Sequence, residues 1–190
     1  MINKSIMIVG VGGQGTLLAS RIIGNVAIND GYDVKMSEVH GMAQRGGSVV
    51  TYVKYGENIS SPIIEKGKAD VILAFEELEA SRWIQYLKKD GLLILNSQKI
   101  DPMPVIIGAA KYPEIVVKKI NEKIEHFVSL DALSLAKQAG TIKAVNVVLI
   151  GVMAKESSIS KEKWLKALEI TIPSKYLEMN KVAFELGYTS

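Results

Sequence analysis

The sequence predicts an α/β fold: a three-layer α/β/α sandwich around a mostly parallel, Rossmann-like sheet, forming one domain over residues 1–190. Three observations predict it. Short Ile- and Val-rich segments alternate with stretches of helical periodicity, the pattern of βα units. The first such pair is joined by a glycine-rich turn, Gly10-Val-Gly-Gly-Gln-Gly15. The chain also lacks internal repeats, low-complexity runs and linkers, and 190 residues suit a single core that buries roughly 70% of the unfolded surface.

Residues 5–9 are apolar and β-branched and read as a buried first strand. Residues 14–29 follow as a helix, with Leu18, Ile22 and Val26 four apart and Leu17 and Ile23 widening the stripe. Gly31 ends it, and 32–37 is a short second strand. Residues 48–55 alternate cleanly: Val49, Thr51, Val53 and Tyr55 point one way, Val50 and Tyr52 the other. Residues 70–75 form another strand. Glu76, Glu77 and Glu79 open a helix to about Leu87, because acidic residues complement the helix dipole. Asp90-Gly91 reads as a turn into a strand over 92–96, and 105–107 as a short strand after a Pro-rich connection. A helix is expected over 113–122 and a last strand over 126–130. Asp131 then caps a helix that Gly140 ends. Residues 143–155 form a very apolar helix, Ser160 caps one over 161–169, and Pro173 introduces one over 174–186.

Composition excludes several kinds of function. There is no cysteine, hence no disulfide, thiolate nucleophile or cysteine-ligated zinc or cluster. With two histidines in unrelated contexts, His40 and His126, no metal site is expected in this chain alone. The net charge of +3 is spread without a polybasic block, so nucleic acid is not expected as a partner. The most apolar run, 144–154, is too short to span a bilayer, and the N-terminus shows no leader pattern. A cytoplasmic location is expected.

Chemistry concentrates in two loops. The first matches G-x-G-x-x-G through Gly10, Gly12 and Gly15, with Gly13 and Gln14 added. Lying between a strand and a helix, it is a tight turn, an anion cradle or a dinucleotide site. For the last, the ribose carboxylate would have to be Glu38, 23 residues past Gly15 and beyond the expected end of strand two, a poor fit. The second loop, Ser37-Glu-Val-His-Gly-Met-Ala-Gln-Arg-Gly-Gly-Ser48, gathers Glu38, His40, Gln44 and Arg45. Gly41, Gly46 and Gly47 free its backbone. Arg45 can grip a carboxylate or phosphate bidentately, and His40 can move a proton near neutral pH. The plainer alternative pairs Glu38 with Arg45 and sets His40 on a loop carbonyl. Elsewhere, Trp83 and Trp164 read as packing residues. Asn146, in an apolar helix, needs a hydrogen-bond partner in the backbone or another loop.

These two motifs resemble the beta subunits of indolepyruvate ferredoxin oxidoreductases, within the gamma-subunit or domain III group of 2-oxoacid:ferredoxin oxidoreductases. Lys143-Ala-Val-Asn146 and Asn180-Lys-Val-Ala-Phe-Glu-Leu-Gly-Tyr188 extend the likeness to the end of the chain. The resemblance implies a subunit that binds no cofactor by itself and works beside a larger alpha subunit. That partner would hold thiamine diphosphate, Mg²⁺ and [4Fe–4S] clusters. The complex would oxidatively decarboxylate an aryl pyruvate, using coenzyme A as co-substrate and ferredoxin as acceptor, in the breakdown of aromatic amino acids. It implies that the two loops complete the active site or the interface. The candidate catalytic residues in them are His40 and Arg45, and the candidates for substrate, cofactor or interface contacts are Gly10, Gly12, Gly13, Gln14, Gly15, Glu38, Gln44, Gly46 and Gly47. Two alternatives are a stand-alone NAD(P) oxidoreductase using Gly10, Gly12, Gly15 and Glu38, and a coenzyme A or nucleotide binding module with Arg45 on a phosphate. Without its partner the chain is expected to be inactive and prone to form a homodimer.

Overall fold

A computed structural model describes residues 3–41, 46–114, 119–120 and 124–190. The strands are β1 (Asn3–Val11), β2 (Asp33–His40), β3 (Ser48–Gly56), β4 (Ala69–Ala74), β5 (Leu87–Asn96) and β6 (His126–Leu130). They lie in one sheet in the order β2-β3-β1-β4-β5-β6. β1 pairs parallel with β4, β4 with β5 and β5 with β6, whereas β3 pairs antiparallel with both β1 and β2. Only β3 runs against the rest, so the mostly parallel sheet is present with one reversed strand. The short 41–47 connection forces that reversal, because a parallel neighbour needs a crossover of a dozen or more residues.

The helices are α1 (Thr16–Asn29), α2 (Glu77–Trp83), α3 (Met103–Ile106), α4 (Ala132–Gln138), α5 (Val145–Lys155), α6 (Lys161–Thr171) and α7 (Ser174–Thr189). Alternation along β1 divides the core. Ile6 and Ile8 face α1, α5, α6 and α7, together with Val53, Leu73 and Ile94. Met7 and Val9 face the other side, with Ile72, Leu93 and Ala80 of α2. Strands buried on both faces read as continuous apolar runs, which is why β1, β4 and the 92–96 half of β5 were legible.

α5 is buried along 145–154 and crosses α7 at a pair of glycines. A Cβ on Gly187 would lie 1.9 Å from the Val148 carbonyl oxygen, and one on Gly151 2.1 Å from that of Phe184. Glycine inside a helix costs about 1 kcal/mol relative to alanine, and here it permits backbone-to-backbone contact.

Several expectations need correction. β2 runs to His40, because β3 pairs with it along its whole length. α2 ends at Trp83, a 3₁₀ turn spans Ile84–Tyr86, and Leu87 already belongs to β5. Asp90-Gly91 is therefore no turn. It sits in a bulge, where Ala69 pairs with Leu87 but Val71 with Leu92. Residues 105–107 are not a strand: β6 takes the place beside β5, and Pro102 and Pro104 favour the first helical turn of α3. Leu17 lies on the outer side of α1, 47% exposed. Ser160 precedes α6 but its side chain makes no cap bond. The helix expected over 113–122 falls largely outside the described residues, although Lys119 and Ile120 are helical. Gly31 and Gly140 take positive φ after α1 and α4, and Asp131 accepts from the Ser134 N–H at 3.0 Å, as expected. Among the described residues no helix is long and apolar enough to cross a membrane.

Candidate functional site

The carboxyl ends of β1, β2, β4, β5 and β6 share one edge of the sheet, and both glycine-rich loops lie there. The loops bond to each other. The Gly12 N–H donates to the Gly47 carbonyl at 2.9 Å, and the Gly46 N–H to the Gly12 carbonyl at 3.5 Å. Gly15 is required twice: its φ is +82°, and a Cβ would lie 2.6 Å from Asn146 Nδ2. Gly10 is required by crowding, with Gln14 Oε1 2.7 Å and Phe75 Cβ 3.0 Å from the place of a Cβ.

Gln14 faces inward. Its Oε1 accepts from the Val11 N–H at 2.7 Å, and its Nε2 donates to the Phe75 carbonyl at 3.0 Å and to Gln98 Oε1 at 3.3 Å. Asn96 Nδ2 donates to the same two oxygens, at 3.0 and 3.2 Å. These amides tie together the ends of β1, β4 and β5. α1 and α2 leave β1 and β4 toward opposite faces, which makes this gap the crevice where open α/β sheets bind ligands. Here the protein's own amides fill it.

Glu38 and His40 point to the same side of β2. Glu38 lies opposite Thr51, and its Oε2 accepts from Thr51 Oγ1 at 3.0 Å and from Thr16 Oγ1 at 3.4 Å. Its carboxylate thus stands at the first turn of α1, where the helix dipole favours negative charge. His40 is exposed, with Nδ1 3.1 Å from the Gly41 carbonyl oxygen. It shares an open depression of about 330 Å³ with Gly12, Gly13, Gly15, Thr16, Leu17, Glu38 and Val49. Gln44 and Arg45 lie outside the described residues, as does any pairing of Arg45 with Glu38.

Across the first loop is a second depression of about 450 Å³, bounded by Gly13, Gly15, Gln98, Leu133, Lys143 and Asn146 among others. Asn146 finds the partner its burial demands: Nδ2 donates to the Gly15 carbonyl at 3.2 Å, and Oδ1 accepts from the Val147 N–H at 2.9 Å. The 143–146 motif thereby supports the first loop.

Sequence reasoning missed three buried carboxylates beneath the same edge. Glu76, Glu77 and Glu79 are only 1%, 6% and 3% exposed. Glu76 caps α2, accepting from the Glu79 N–H at 2.9 Å, and also accepts from the Ile100 N–H at 3.1 Å and Tyr112 OH at 2.5 Å. Glu79 accepts from Ser48 Oγ at 2.5 Å and Arg82 Nη1 at 2.7 Å. They do form a helix start, but their position directly after the apolar run 71–75 was the signal that they would be enclosed. Among the described residues no three His, Cys, Asp or Glu side chains are grouped to hold a metal ion.

Burial raises the Glu77 carboxyl above the ordinary carboxylate value of 4.5, opposed in part by the Lys99 ammonium. A raised folded-state value favours the protein at acid pH, and that advantage is lost as pH rises through it. Glu77→Gln should therefore raise the melting temperature at neutral pH, since the amide carries no charge to desolvate. The gain should vanish below the ordinary carboxylate range. Thermal melts of both proteins across pH check this; a pH-independent difference contradicts it.

Residues 5–190 match the family described as pyruvate ferredoxin/flavodoxin oxidoreductase. The chain is 45% identical over 188 residues to the indolepyruvate oxidoreductase subunit IorB of Thermococcus kodakarensis, covering 96% of this chain and 93% of that one. It is 43% identical to the subunit of the same name from Pyrococcus horikoshii, with the same coverage. A solved gamma subunit of a keto/oxoacid ferredoxin oxidoreductase from Geobacter sulfurreducens superposes with a TM-score of 0.73, covering 98% of this chain and 96% of that chain. At 24% identity that likeness is one of fold.

Proposed function

The chain belongs to the pyruvate ferredoxin/flavodoxin oxidoreductase family, and from that membership we propose that it is the small, non-redox subunit of an indolepyruvate:ferredoxin oxidoreductase. The complex would convert an aryl pyruvate and coenzyme A to an aryl-acetyl-CoA and pass the electrons to ferredoxin. The observation that carries this reading is the Gly12–Gly47 junction, which fuses the two loops into one rim, in a chain so similar to the IorB subunits.

A thiamine diphosphate with its Mg²⁺, and the [4Fe–4S] clusters, supply carbanion stabilisation and one-electron transfer in such chemistry. The residues of this chain do not fit either group: it has no thiolate, its enclosed Glu76 and Glu79 carboxylates are bound to Ile100, Tyr112, Ser48 and Arg82, and among the described residues no three such side chains are grouped to hold a metal ion. We assign both groups to a large alpha subunit. This chain would present its rim to that subunit's site. His40, exposed at the end of β2, would exchange a proton, and Arg45 would hold a carboxylate or a coenzyme A phosphate. A cytoplasmic location belongs to the same proposal.

Nucleotide binding by the chain alone has one observation in its favour. The N–H groups of Gly13, Gly15, Thr16 and Leu17 have no acceptor among the described residues. Against it, the Glu38 carboxylate already stands where a phosphate would sit, and Gln14 fills the crevice.

The test compares the purified chain with the complex formed by co-expressing both subunits. The lone chain should be colourless, inert toward indolepyruvate, and silent in calorimetry with NAD and NADP. Ferredoxin reduction dependent on indolepyruvate and coenzyme A should appear with the complex. Turnover by the lone chain overturns the proposal.

A further inference from the structure

Between Asp101 and Lys111 the chain carries no charge, reading Pro102-Met-Pro-Val-Ile-Ile-Gly-Ala-Ala110. Met103, Ile106 and Ile107 are 66%, 65% and 68% exposed. Such a run in open loop would normally be polar and variable in shape. This one is braced from within and at both feet. The Ile107 N–H donates to the Met103 carbonyl and the Ala110 N–H to the Pro104 carbonyl, each at 3.0 Å. The feet meet on one atom, since the Ile100 N–H and the Tyr112 hydroxyl both donate to Glu76 Oε1. A buried carboxylate thus closes residues 100–112 into a lasso with apolar side chains on its outside. An apolar surface held rigid in water has already met the ordering cost of binding.

The lasso is continuous with the glycine-loop rim. Glu76 Oε2 accepts from the Glu79 N–H, and Glu79 Oε2 from Ser48 Oγ, the residue that follows Gly47. On the other side, Gln98 bonds Gln14 of the first loop and lies two residues before Ile100. One polar frame carries both loops and the lasso on the same sheet edge, so a body that covers the rim also meets the lasso. A second copy of this chain seated there would bury both rims against each other and leave neither for a catalytic partner.

We propose that the 100–112 lasso is the docking knob through which this chain seats on the large subunit, with Met103, Ile106 and Ile107 entering an apolar pocket of that subunit. The inference rests on the functional reading above and names the contact that reading lacks. Its test is the combined variant Met103→Asp, Ile106→Asp and Ile107→Asp, titrated against the purified large subunit beside the parent chain. The affinity should fall about 30-fold or more, the effect of removing apolar anchors at an interface, while the melting curve of the variant matches the parent because these side chains face solvent. Tyr112→Phe, which frees one foot, should weaken binding by a smaller factor. A parent that binds and a variant that binds equally well overturn the knob and leave the functional reading standing. A parent that fails to bind the large subunit overturns both. If the lone parent is a dimer, the variant a monomer and the affinity for the large subunit unchanged, the lasso is a self-contact and the inference is wrong.

Discussion

Gly187→Ala lowers the stability of the chain by about 3 kcal/mol or more, and the melting temperature by about 6–12 °C. The added methyl would sit 1.9 Å from the Val148 carbonyl oxygen and 2.8 Å from its carbon. Both atoms belong to the backbone of α5, so no rotamer change can relieve the contact. Relief requires moving α5 from α7, and α5 is enclosed along 145–154 by the helices and the sheet. Gly151→Ala should behave alike, meeting the Phe184 carbonyl oxygen at 2.1 Å. Gly31→Ala is the control: φ is +85° there but nothing lies near the new methyl, so only the backbone strain of about 1–2 kcal/mol applies. Urea and thermal unfolding of the three variants order them. A Gly187→Ala protein no less stable than Gly31→Ala contradicts the close crossing.

Gly15→Ala has the largest expected effect on function. The φ of +82° costs an alanine about 1–2 kcal/mol, and its methyl meets Asn146 Nδ2 at 2.6 Å. Displacing that amide breaks its bond to the Gly15 carbonyl and leaves a polar group stranded on a buried helix, at about 1–3 kcal/mol. The first loop must shift, and with it the Gly12–Gly47 junction. Misplacing a reacting group by an ångström costs about 100-fold in rate, so the activity of the two-subunit complex should fall by about that factor. Adding Asn146→Ala removes the clash but not the strain, and should recover part of the stability and less of the rate. Steady-state assays and melts of both variants check this. Activity equal to the parent's would show that the first loop takes no part in the reaction.

Much of the scaffold was legible because burial writes itself into hydropathy. β1, β4 and α5 lie between apolar layers, and their runs of Ile, Val and Leu admit little else. Asn146 stood out for the converse reason, a lone amide among aliphatic residues, and its bond to Gly15 followed from the need for a partner. Strand direction was not legible. The alternation of 48–55 fixes which side chains face which layer, but a reversed strand alternates identically. The bulge at Asp90-Gly91 was misread because the same dipeptide makes turns, and only the β4 register distinguishes the two. Gly151 and Gly187 are silent in one dimension, since a helical glycine states its purpose only when the neighbouring backbone is known. At the site, the placing of each glycine loop after a strand was readable, but not their junction, which β3 makes by lying between β1 and β2. The inward turn of Gln14 and the burial of Glu76, Glu77 and Glu79 were not readable, because polar and charged side chains in a sequence look like solvent exposure.

The reversal of β3 has a consequence for how such a subunit can diversify. The chain leaves the rim at the end of β2 and re-enters the sheet from that rim after residues 41–47. Lengthening, shortening or rewriting that stretch shifts no strand, because the ladder from Ser48 to Gly56 is fixed independently against Asn3 to Val11. The sheet is a plinth with one exchangeable fitting, and new sequences can be tried there without renegotiating the foundations.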